Sequence, residues 1–250
     1  MNTLDERAQH EIEHGRLLAQ SGDPEGIWNW ASPAGRVRAE RRGRLLTEAA
    51  HLQKGMQVLE VGCGTGLFTA MMAASGAHIL AIDLSPDLLE LAKKQRGLPP
   101  EQVEFRQARF EDGEIGGPFD AIVGSSVLHH LDMPSALPRM AELLKPGGRI
   151  AFAEPNLLNP QVWMERNIEA IRIRHGVSPD ETAIVRWRLA KDLAELGFID
   201  IRIRNVDWLH PGTPQPLIKL VYNVGLVLER IPLIREFTGS VLISAVRPHS

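Results

Sequence analysis

A glycine-rich turn followed by an acidic residue is the part of the sequence best suited to bind a nucleotide-like molecule. Gly62, Gly64 and Gly66 follow an apolar run with GxGxG spacing, and a second apolar run ends in Asp83, seventeen residues after the last glycine. Glycines permit a sharp turn and a close backbone approach, and the amides at the next helix start favour electron-rich groups. A carboxylate at the end of the second strand can accept hydrogen bonds from two ribose hydroxyls and disfavours a 2′-phosphate. The same glycines could also serve only the geometry of the turn.

Two adjacent histidines are the candidates for proton transfer. His129 and His130 follow a fourth apolar run, and an imidazole that titrates near neutrality can take a proton from a hydroxyl or an ammonium group. The alternative is that they cap or pack their loop. Ser125 and Ser126 precede them without a nucleophile-elbow motif, which argues against hydrolase chemistry.

Short apolar runs alternate with longer amphipathic stretches from residue 57 onward. This alternation predicts parallel strands joined by crossover helices that cover both faces of a sheet. Helices are expected to begin near Leu67, Pro86, Met133 and Arg188. Strands are expected at 57–61, 78–82, 103–106, 119–124, 149–154, 199–204 and 241–246.

Composition narrows the function classes. The chain has 250 residues and a net charge of −3, so it has no global positive field to attract nucleic acid. Its single cysteine, Cys63, can close no intramolecular disulfide and has no partner thiols for a structural zinc site. We therefore expect no metal and a cytoplasmic location. The longest apolar stretch, 217–231, is interrupted by polar residues and is too short to cross a bilayer.

Four segments in order resemble the motifs of class I S-adenosylmethionine-dependent methyltransferases: LEVGCGTG, AIDLSPDLLELAKK, FDAIVGSSVLHHL and LLKPGGRIAFAEP. The resemblance covers residues 55 to 155 strongly and 185 to 250 by topology. It implies an α/β, Rossmann-like, doubly wound and mostly parallel seven-stranded sheet whose last strand is antiparallel. It also implies S-adenosylmethionine as cofactor.

The resemblance assigns roles to individual positions. Gly62, Gly64 and Gly66 would pack against the methionine and ribose parts of the cofactor, Glu60 would orient its amino end, and Asp83 would bind the ribose diol. Leu84 would cover one face of the adenine, and Ser125 would line the methyl-transfer channel. Arg109 occupies the place where the family often has an acid that holds the adenine amino group. Either Glu111 or Asp112 substitutes for that acid, or backbone groups around Phe110 read the adenine.

The flanks of this domain, which spans 56–250, carry the remaining expectations. Residues 1–55 are predicted to form a helical lid region, in which Trp28 and Trp30 either close over the cofactor or clasp the domain. Arg36 or Arg38 could meet the cofactor carboxylate, whereas the arginines between 36 and 44 are expected to form mainly a solvated face. Helical insertions are expected at about 156–185 and 205–238. Glu154 and Asn156 either face an acceptor or, for Asn156, satisfy loop backbone.

The insertion from 216 to 230 bears on the acceptor. Leu220, Val224 and Val227 lie on a broad apolar helical face, which we expect to wall the acceptor pocket, although packing on the sheet or a second subunit would explain it equally well. The predicted function is methyl transfer to an apolar or lipid-like small molecule, preferably at oxygen, with peripheral membrane contact as a weaker expectation. The alternatives are a nicotinamide-dependent oxidoreductase and a catalytically inactive nucleotide-binding regulatory or scaffold protein.

Overall fold

A seven-stranded sheet organises the computed structural model, which describes residues 6–168 and 184–249. The strand order is β3-β2-β1-β4-β5-β7-β6, and β7 alone runs antiparallel to its neighbours. The predicted sheet with an antiparallel last strand is thereby confirmed. The strands are β1 (Gln57–Val61), β2 (His78–Asp83), β3 (Val103–Gln107), β4 (Phe119–Ser125), β5 (Leu144–Pro155), β6 (Ile199–Val206) and β7 (Ser240–Val246).

Helices connect the strands and begin where capping residues allow them to. Ser85 accepts a hydrogen bond from the amide of Leu88, and Asn159 accepts bonds from two amides of the following turn. The helix expected near Arg188 begins two residues earlier. The helices described are α1 (Glu6–Gln20), α2 (Pro24–Ile27), α3 (Pro33–Ala49), α4 (Leu67–Ala73), α5 (Pro86–Arg96), α6 (Met133–Leu143), α7 (Pro160–Asn167), α8 (Arg186–Glu195) and α9 (Ile218–Leu228).

The central strands are buried on both faces, as a parallel sheet between two helical layers requires. Leu59, Ile122 and Phe152 belong to one buried cluster, and Val58 and Val123 belong to the other. Alternate residues of one strand point to opposite faces, so each strand contributes to both clusters. The loops at the carboxyl edge of the sheet are therefore the part that remains for ligand binding.

The N-terminal helices are attached to this domain by long-range polar contacts. In α2, Glu25 accepts a hydrogen bond from the Thr65 hydroxyl in the glycine loop, at 2.9 Å between the oxygens, and also pairs with Arg96. Farther on, α3 is joined to α9 by Arg41 and Glu229, whose two nitrogen–oxygen distances are 2.7 and 2.6 Å. The N-terminal segment and the last insertion thus form one cover over the sheet edge.

Part of the predicted 156–185 insertion lies outside the described residues. Its first portion is the helix α7, and residues 169–183 are not described. The last insertion contains α9 and two short 3-10 turns, Gln215–Leu217 and Ile234–Phe237. Within the described ranges, no helix is both long and apolar enough to span a bilayer.

Candidate functional site

The glycine loop after β1 has the backbone geometry that the sequence pattern predicts. Gly62, Gly64 and Gly66 all have positive φ, at 66°, 52° and 72°. Gly66 caps α4, and a Cβ there would lie 3.2 Å from atoms of both α5 and β3. Gly66 therefore serves the turn and its packing, whereas Gly62 and Gly64 line a cavity.

This first cavity has a volume of about 420 Å³ and lies over the carboxyl ends of β1, β2 and β4. Its size falls within the range of small-molecule sites. The helix α1 and the two tryptophans of the N-terminal segment contribute to its wall. Seven of the nine residues predicted to bind the cofactor line it: Gly62, Gly64, Asp83, Leu84, Arg109, Phe110 and Ser125.

Asp83 links the end of β2 to the glycine loop. Its Oδ2 accepts a hydrogen bond from the Gly64 amide at 2.8 Å, and its Oδ1 accepts one from the Ser85 amide at 2.9 Å. Burial raises the pKa of this carboxyl, while the two amide hydrogen bonds act in the opposite direction. The carboxylate is therefore held in a fixed orientation in the cavity wall.

Glu60 is the predicted cofactor residue that the structure places behind the cavity. Its side chain is buried beneath the glycine loop and does not line the cavity. Burial, with a smaller contribution from the nearby Asp83 carboxylate, raises the pKa of Glu60 to about 7, although a hydrogen bond with Thr69 acts in the opposite direction. Its Oε2 has no hydrogen-bond partner among the described residues. The role predicted for Glu60, orienting the amino end of the cofactor, stays a prediction.

The loop after β3 contains the residues that were predicted to contact the adenine of the cofactor. Arg109 lines the cavity and pairs with Glu111 at 3.5 Å and with Asp112 at 3.7 Å. Glu111 lines the cavity, whereas Asp112 is half exposed and does not. Of the two acids that could replace the missing family acid, Glu111 is therefore the one in position, and Phe110 lies beside it.

His129 is held by a buried carboxylate at the end of β5. Its Nδ1 lies 2.7 Å from Oε2 of Glu154, and Oε1 of Glu154 accepts hydrogen bonds from the amides of Val127 and Leu128 at 2.9 and 3.0 Å. Burial raises the pKa of Glu154, but the bonds from His129 and the two amides outweigh it, so that the pKa lies below its usual range. An ionised carboxylate only accepts hydrogen bonds, so Nδ1 of His129 must carry the proton and Nε2 the lone pair of the neutral ring.

His130 has a different surrounding. Its Nδ1 lies 3.1 Å from Oε1 of Glu11 in α1, and its ring centroid lies 4.2 Å from that of His129. Arg7, one turn earlier in α1, donates to the backbone oxygens of His129 and Leu131 at 3.5 and 3.3 Å. Both histidines line the first cavity, but His130 is tied to the covering helix and His129 to the sheet.

Arg42 is a site residue that the sequence analysis placed on a solvated face. It is 7% exposed and donates to the hydroxyls of Ser125, Ser126 and Ser240 at 3.2, 2.9 and 2.6 Å. Its guanidinium also lies 4.9 Å from the ring centroid of Trp30. Burial, together with the neighbouring Arg38, lowers the pKa of Arg42 to about 10, although Asp207 and Glu154 act in the opposite direction. The arginine remains a cation at neutral pH, and the hydrogen-bond partners described for it are uncharged hydroxyls.

Arg36 and Arg38, the arginines expected to meet a carboxylate on the cofactor, are engaged elsewhere. Arg38 forms an ion pair with Asp207 at 2.8 Å, and Arg36 donates to the backbone oxygen of Ala31 at 3.1 Å. The signal for Arg42 was present in the helical spacing, because Ala39 and Leu46 lie three positions before it and four after it and both are buried. Arg42 thus falls on the apolar stripe of α3.

A second cavity of about 430 Å³ adjoins the first, with Trp28, Trp30 and Ser126 in the walls of both. It extends over the end of β5 and the start of β7, where Trp208 and Leu209 contribute apolar wall. The two indoles of the N-terminal segment therefore combine the predicted roles, since they border the cavities and also clasp the domain. Trp30, for example, meets Phe68 edge to face at 5.4 Å between centroids.

Two further expectations concern the acceptor side. Asn156 is buried and donates to the backbone oxygens of Glu236 and Thr238 at 2.8 Å, so it satisfies loop backbone. Leu220, Val224 and Val227 are exposed and line neither cavity. The prediction that they wall an acceptor pocket is therefore wrong for the two cavities described here, because the apolar face of α9 points outward.

Comparison with known proteins gives consistent matches. A methyltransferase domain family matches residues 59–150. The ubiquinone biosynthesis O-methyltransferase of Xanthomonas axonopodis pv. citri is 38% identical over 133 residues, which are 52% of this chain and 56% of that relative. The ubiquinone biosynthesis O-methyltransferase of Xylella fastidiosa is 43% identical over 105 residues, or 43% of its length. The chain thus spans about half the length of these curated relatives.

Among solved structures, the complex of a Haloferax volcanii methyltransferase with its Trm112 activator matches with a TM-score of 0.66 and 19% identity, covering 99% of this chain and 100% of that one. This similarity concerns the fold. The GxGxG loop, the sheet order with its antiparallel β7 and the matched domain agree with one another, and neither alternative reading of the sequence is favoured by these matches. The methyltransferase domain matched over residues 59–150 and the curated relatives support the resemblance to class I S-adenosylmethionine-dependent methyltransferases that the four sequence motifs indicate.

Proposed function

We propose that this protein transfers a methyl group from S-adenosylmethionine to a hydroxyl oxygen of an apolar small molecule, with His129 as general base. The observation that carries the proposal is the pair formed by His129 and Glu154 in the wall of the first cavity. Glu154 fixes Nδ1 of the imidazole as a donor, which leaves Nε2 as the basic nitrogen. His130, bound to the covering helix, is a weaker candidate for the same step.

The residues around the first cavity fit the cofactor. Gly62 and Gly64 expose backbone at positive φ, Asp83 offers carboxylate oxygens for a diol, and Leu84 and Phe110 provide apolar surface. Arg42 lines the second cavity, and its buried guanidinium, which donates to Ser125 and Ser126 in the wall of the first cavity, matches a carboxylate in charge and geometry. We assign the methionine carboxylate of the cofactor to Arg42, in place of Arg36 or Arg38.

When bound, S-adenosylmethionine supplies a methyl group that its sulfonium charge already activates for in-line transfer. The protein therefore has to position the acceptor, exclude water and accept the hydroxyl proton. His129 takes that proton at Nε2, and the Glu154 carboxylate stabilises the resulting imidazolium while holding the ring in place. The amides of Val127 and Leu128 keep the carboxylate from rotating.

The acceptor half of the proposal rests on the second cavity. The indoles of Trp28, Trp30 and Trp208 favour a flat, apolar ring, and the shared wall at Ser126 brings this space next to the first cavity. The names of the curated relatives support an oxygen acceptor. A phenolic hydroxyl on a ring with an apolar substituent meets these conditions, and a base is required because such a hydroxyl is neutral near pH 7.

The N-terminal region completes the proposed site as a lid. Arg7 and Glu11 of α1 are bonded to the histidine loop, and Trp28 contacts the glycine loop where a Cβ at Gly64 would lie 3.2 Å from the indole. Closure of such a segment excludes water from the reacting groups.

The test compares His129→Asn with His130→Asn, using a 4-alkylcatechol as acceptor and the release of S-adenosylhomocysteine as readout. We expect His129→Asn to lower kcat about a hundredfold while cofactor affinity, measured by calorimetry, stays near the wild-type value. His130→Asn should have a clearly smaller effect. Equal losses of folding and cofactor binding in both variants would instead indicate a structural role, and wild-type binding of NADH without turnover would contradict the proposed class of reaction.

Glu154→Gln tests the positioning role separately. The amide can keep a hydrogen bond to the ring but removes the charge, so we expect kcat to fall about tenfold and the pH profile of kcat to change its acidic limb. A purely structural role would lower the melting temperature and leave the shape of that profile unaltered.

A further inference from the structure

The outer side of α9 and of the 3-10 turn after it is an apolar surface. Its residues share one face of the helix, at intervals of three or four positions, and continue into the turn. We call this surface the outer face. It consists of Leu217, Leu220, Val224, Val227, Ile231, Leu233, Ile234 and Phe237, all exposed, with Leu233 at 79% and Leu220 at 61%.

The inner side of the same segment is fully used in packing. Gly225 is buried against Trp208, so that a Cβ there would lie 2.9 Å from that side chain, and Tyr222 lies beneath the guanidinium of Arg41. Glu229 pairs with Arg41 and also accepts a hydrogen bond from the Asp207 amide at 2.8 Å. These contacts anchor the helix in one orientation, so its apolar face points away from the rest of the protein.

The charges of this segment are divided between the two sides. The acidic residues Glu229 and Glu236 are partly buried and pair with Arg41 and with Arg186, and Glu236 also lies 3.5 Å from the exposed Arg235. The charged side chains exposed between 215 and 239 are Lys219, Arg230 and Arg235, and all three are cationic. The outer face is thus an apolar surface with a positive rim.

We propose that the outer face docks on an anionic lipid surface, with α9 lying in the plane of the interface. Apolar side chains bordered by Lys and Arg are the pattern of helices that lie in a membrane interface, and each cation near an anionic surface adds to binding. Two copies of the chain joined through this face would bring their cationic rims together, so charge favours the lipid over self-association. Trp208, which packs under Gly225, also lines the second cavity, so docking brings that cavity close to the lipid.

The experiment is cosedimentation of the full chain with vesicles of phosphatidylcholine alone or with about one third phosphatidylglycerol. We expect binding to the anionic vesicles, weak binding to the neutral ones, and loss of binding as salt is raised to about 0.5 M. Leu220→Ser combined with Val227→Ser should lower the affinity about tenfold or more, and Lys219→Gln combined with Arg230→Gln should do the same. Ile199→Thr, at an equally exposed apolar position on the edge strand β6, is the matched control and should bind like the wild type.

Three results would overturn the proposal. The first is the absence of binding to either vesicle, and the second is equal binding to both. The third is a protein that does not bind vesicles but forms a dimer in sedimentation-velocity runs, with that dimer dissociated by the Leu220 and Val227 substitutions. Circular dichroism of each variant establishes that it is folded, and these surface positions should leave the melting temperature nearly unchanged.

Discussion

The two halves of the sheet edge each contain a buried glutamate, and the two glutamates behave in opposite ways. Glu60 is the second-last residue of β1, directly before the glycine loop, and burial raises its pKa to about 7. Glu154 lies near the end of β5, and its pKa is lowered although it is equally buried. Burial penalises the charged form in both places, so burial alone does not set the protonation state.

The difference lies in the donors. Two backbone amides and the His129 ring donate to Glu154 and lower its pKa. For Glu60 the Thr69 hydroxyl acts in that direction, but Asp83 adds a like charge nearby and Oε2 has no hydrogen-bond partner among the described residues. The half of the sheet edge beside the glycine loop therefore holds a carboxyl whose pKa is raised, and the half beside the histidines holds one whose pKa is lowered. The pKa of a buried acid near the end of a strand can thus be raised or lowered, depending on the hydrogen-bond donors around it.

The largest expected effect concerns the stability linked to Glu60. Because its folded pKa, about 7, exceeds the ordinary value of 4.5, the stability that its proton contributes is present below pH 4.5 and lost as pH rises through 7. Relative to Glu60→Gln, the wild type should lose about 3 kcal/mol of unfolding free energy between about pH 4 and about pH 8. Urea denaturation at several pH values measures this.

Glu154→Gln is the matched control for Glu60→Gln. Its lowered pKa gives the opposite sign, with stability present above the ordinary carboxyl pKa and lost on acidification. Parallel pH dependences for the two variants would contradict the contrast drawn between the two halves.

Asp83→Ala should weaken S-adenosylmethionine binding about a hundredfold, because two hydroxyl-to-carboxylate hydrogen bonds are lost and the glycine loop loses its anchor at Gly64. Calorimetry measures the affinity. Asp87→Ala, four residues away on the exposed start of α5, should bind the cofactor normally. If Asp83→Ala binds the cofactor as tightly as the wild type, Asp83 does not bind the ribose hydroxyls.

Arg42→Met should weaken cofactor binding about tenfold to thirtyfold through loss of the charge-assisted contact to the carboxylate. Decarboxylated S-adenosylmethionine should bind the wild type and the variant alike, which separates this contact from a general loss of structure. Arg44→Met, on the exposed side of the same helix, is the control. A variant that discriminates against the decarboxylated analogue as strongly as the wild type would show that Arg42 does not hold the carboxylate.

The smallest effect is expected at Val224. Since its side chain is exposed and lines neither cavity, Val224→Asp should leave the KM for a water-soluble catechol and the affinity for the cofactor unchanged. Steady-state kinetics in the absence of lipid measure both. A several-fold rise in KM under these conditions would restore the idea that this face walls the acceptor site.

The sequence predicted the backbone geometry of the glycine loop because that feature is local. The loop from Gly62 to Gly66 and the acid at Asp83 are separated by one helix, and strand–helix alternation fixes their relative position. Six of the seven strands were predicted to within two residues at each end, and the central parallel ones are marked by continuous apolar runs. The exception is β5, which begins at Leu144, five residues before the predicted start. The burial of Glu60 behind the cavity could not be predicted, because spacing does not reveal whether an acid points into the cavity or behind it.

The half of the sheet edge beside the histidines depends on contacts between distant parts of the chain. Arg42 meets Ser240 across 198 positions, Arg41 meets Glu229 across 188, and His129 meets Glu154 through neighbouring strands of the sheet. The sequence by itself determined the strand–helix alternation, the glycine loop and the candidate histidines, because these follow from periodicity and local backbone conformation, and the motif resemblance added the antiparallel last strand. Only the tertiary structure decided which arginine is buried, which carboxylate holds His129 and which way α9 faces, because each of these is set by the packing of segments whose separation in sequence carries no information about their contact.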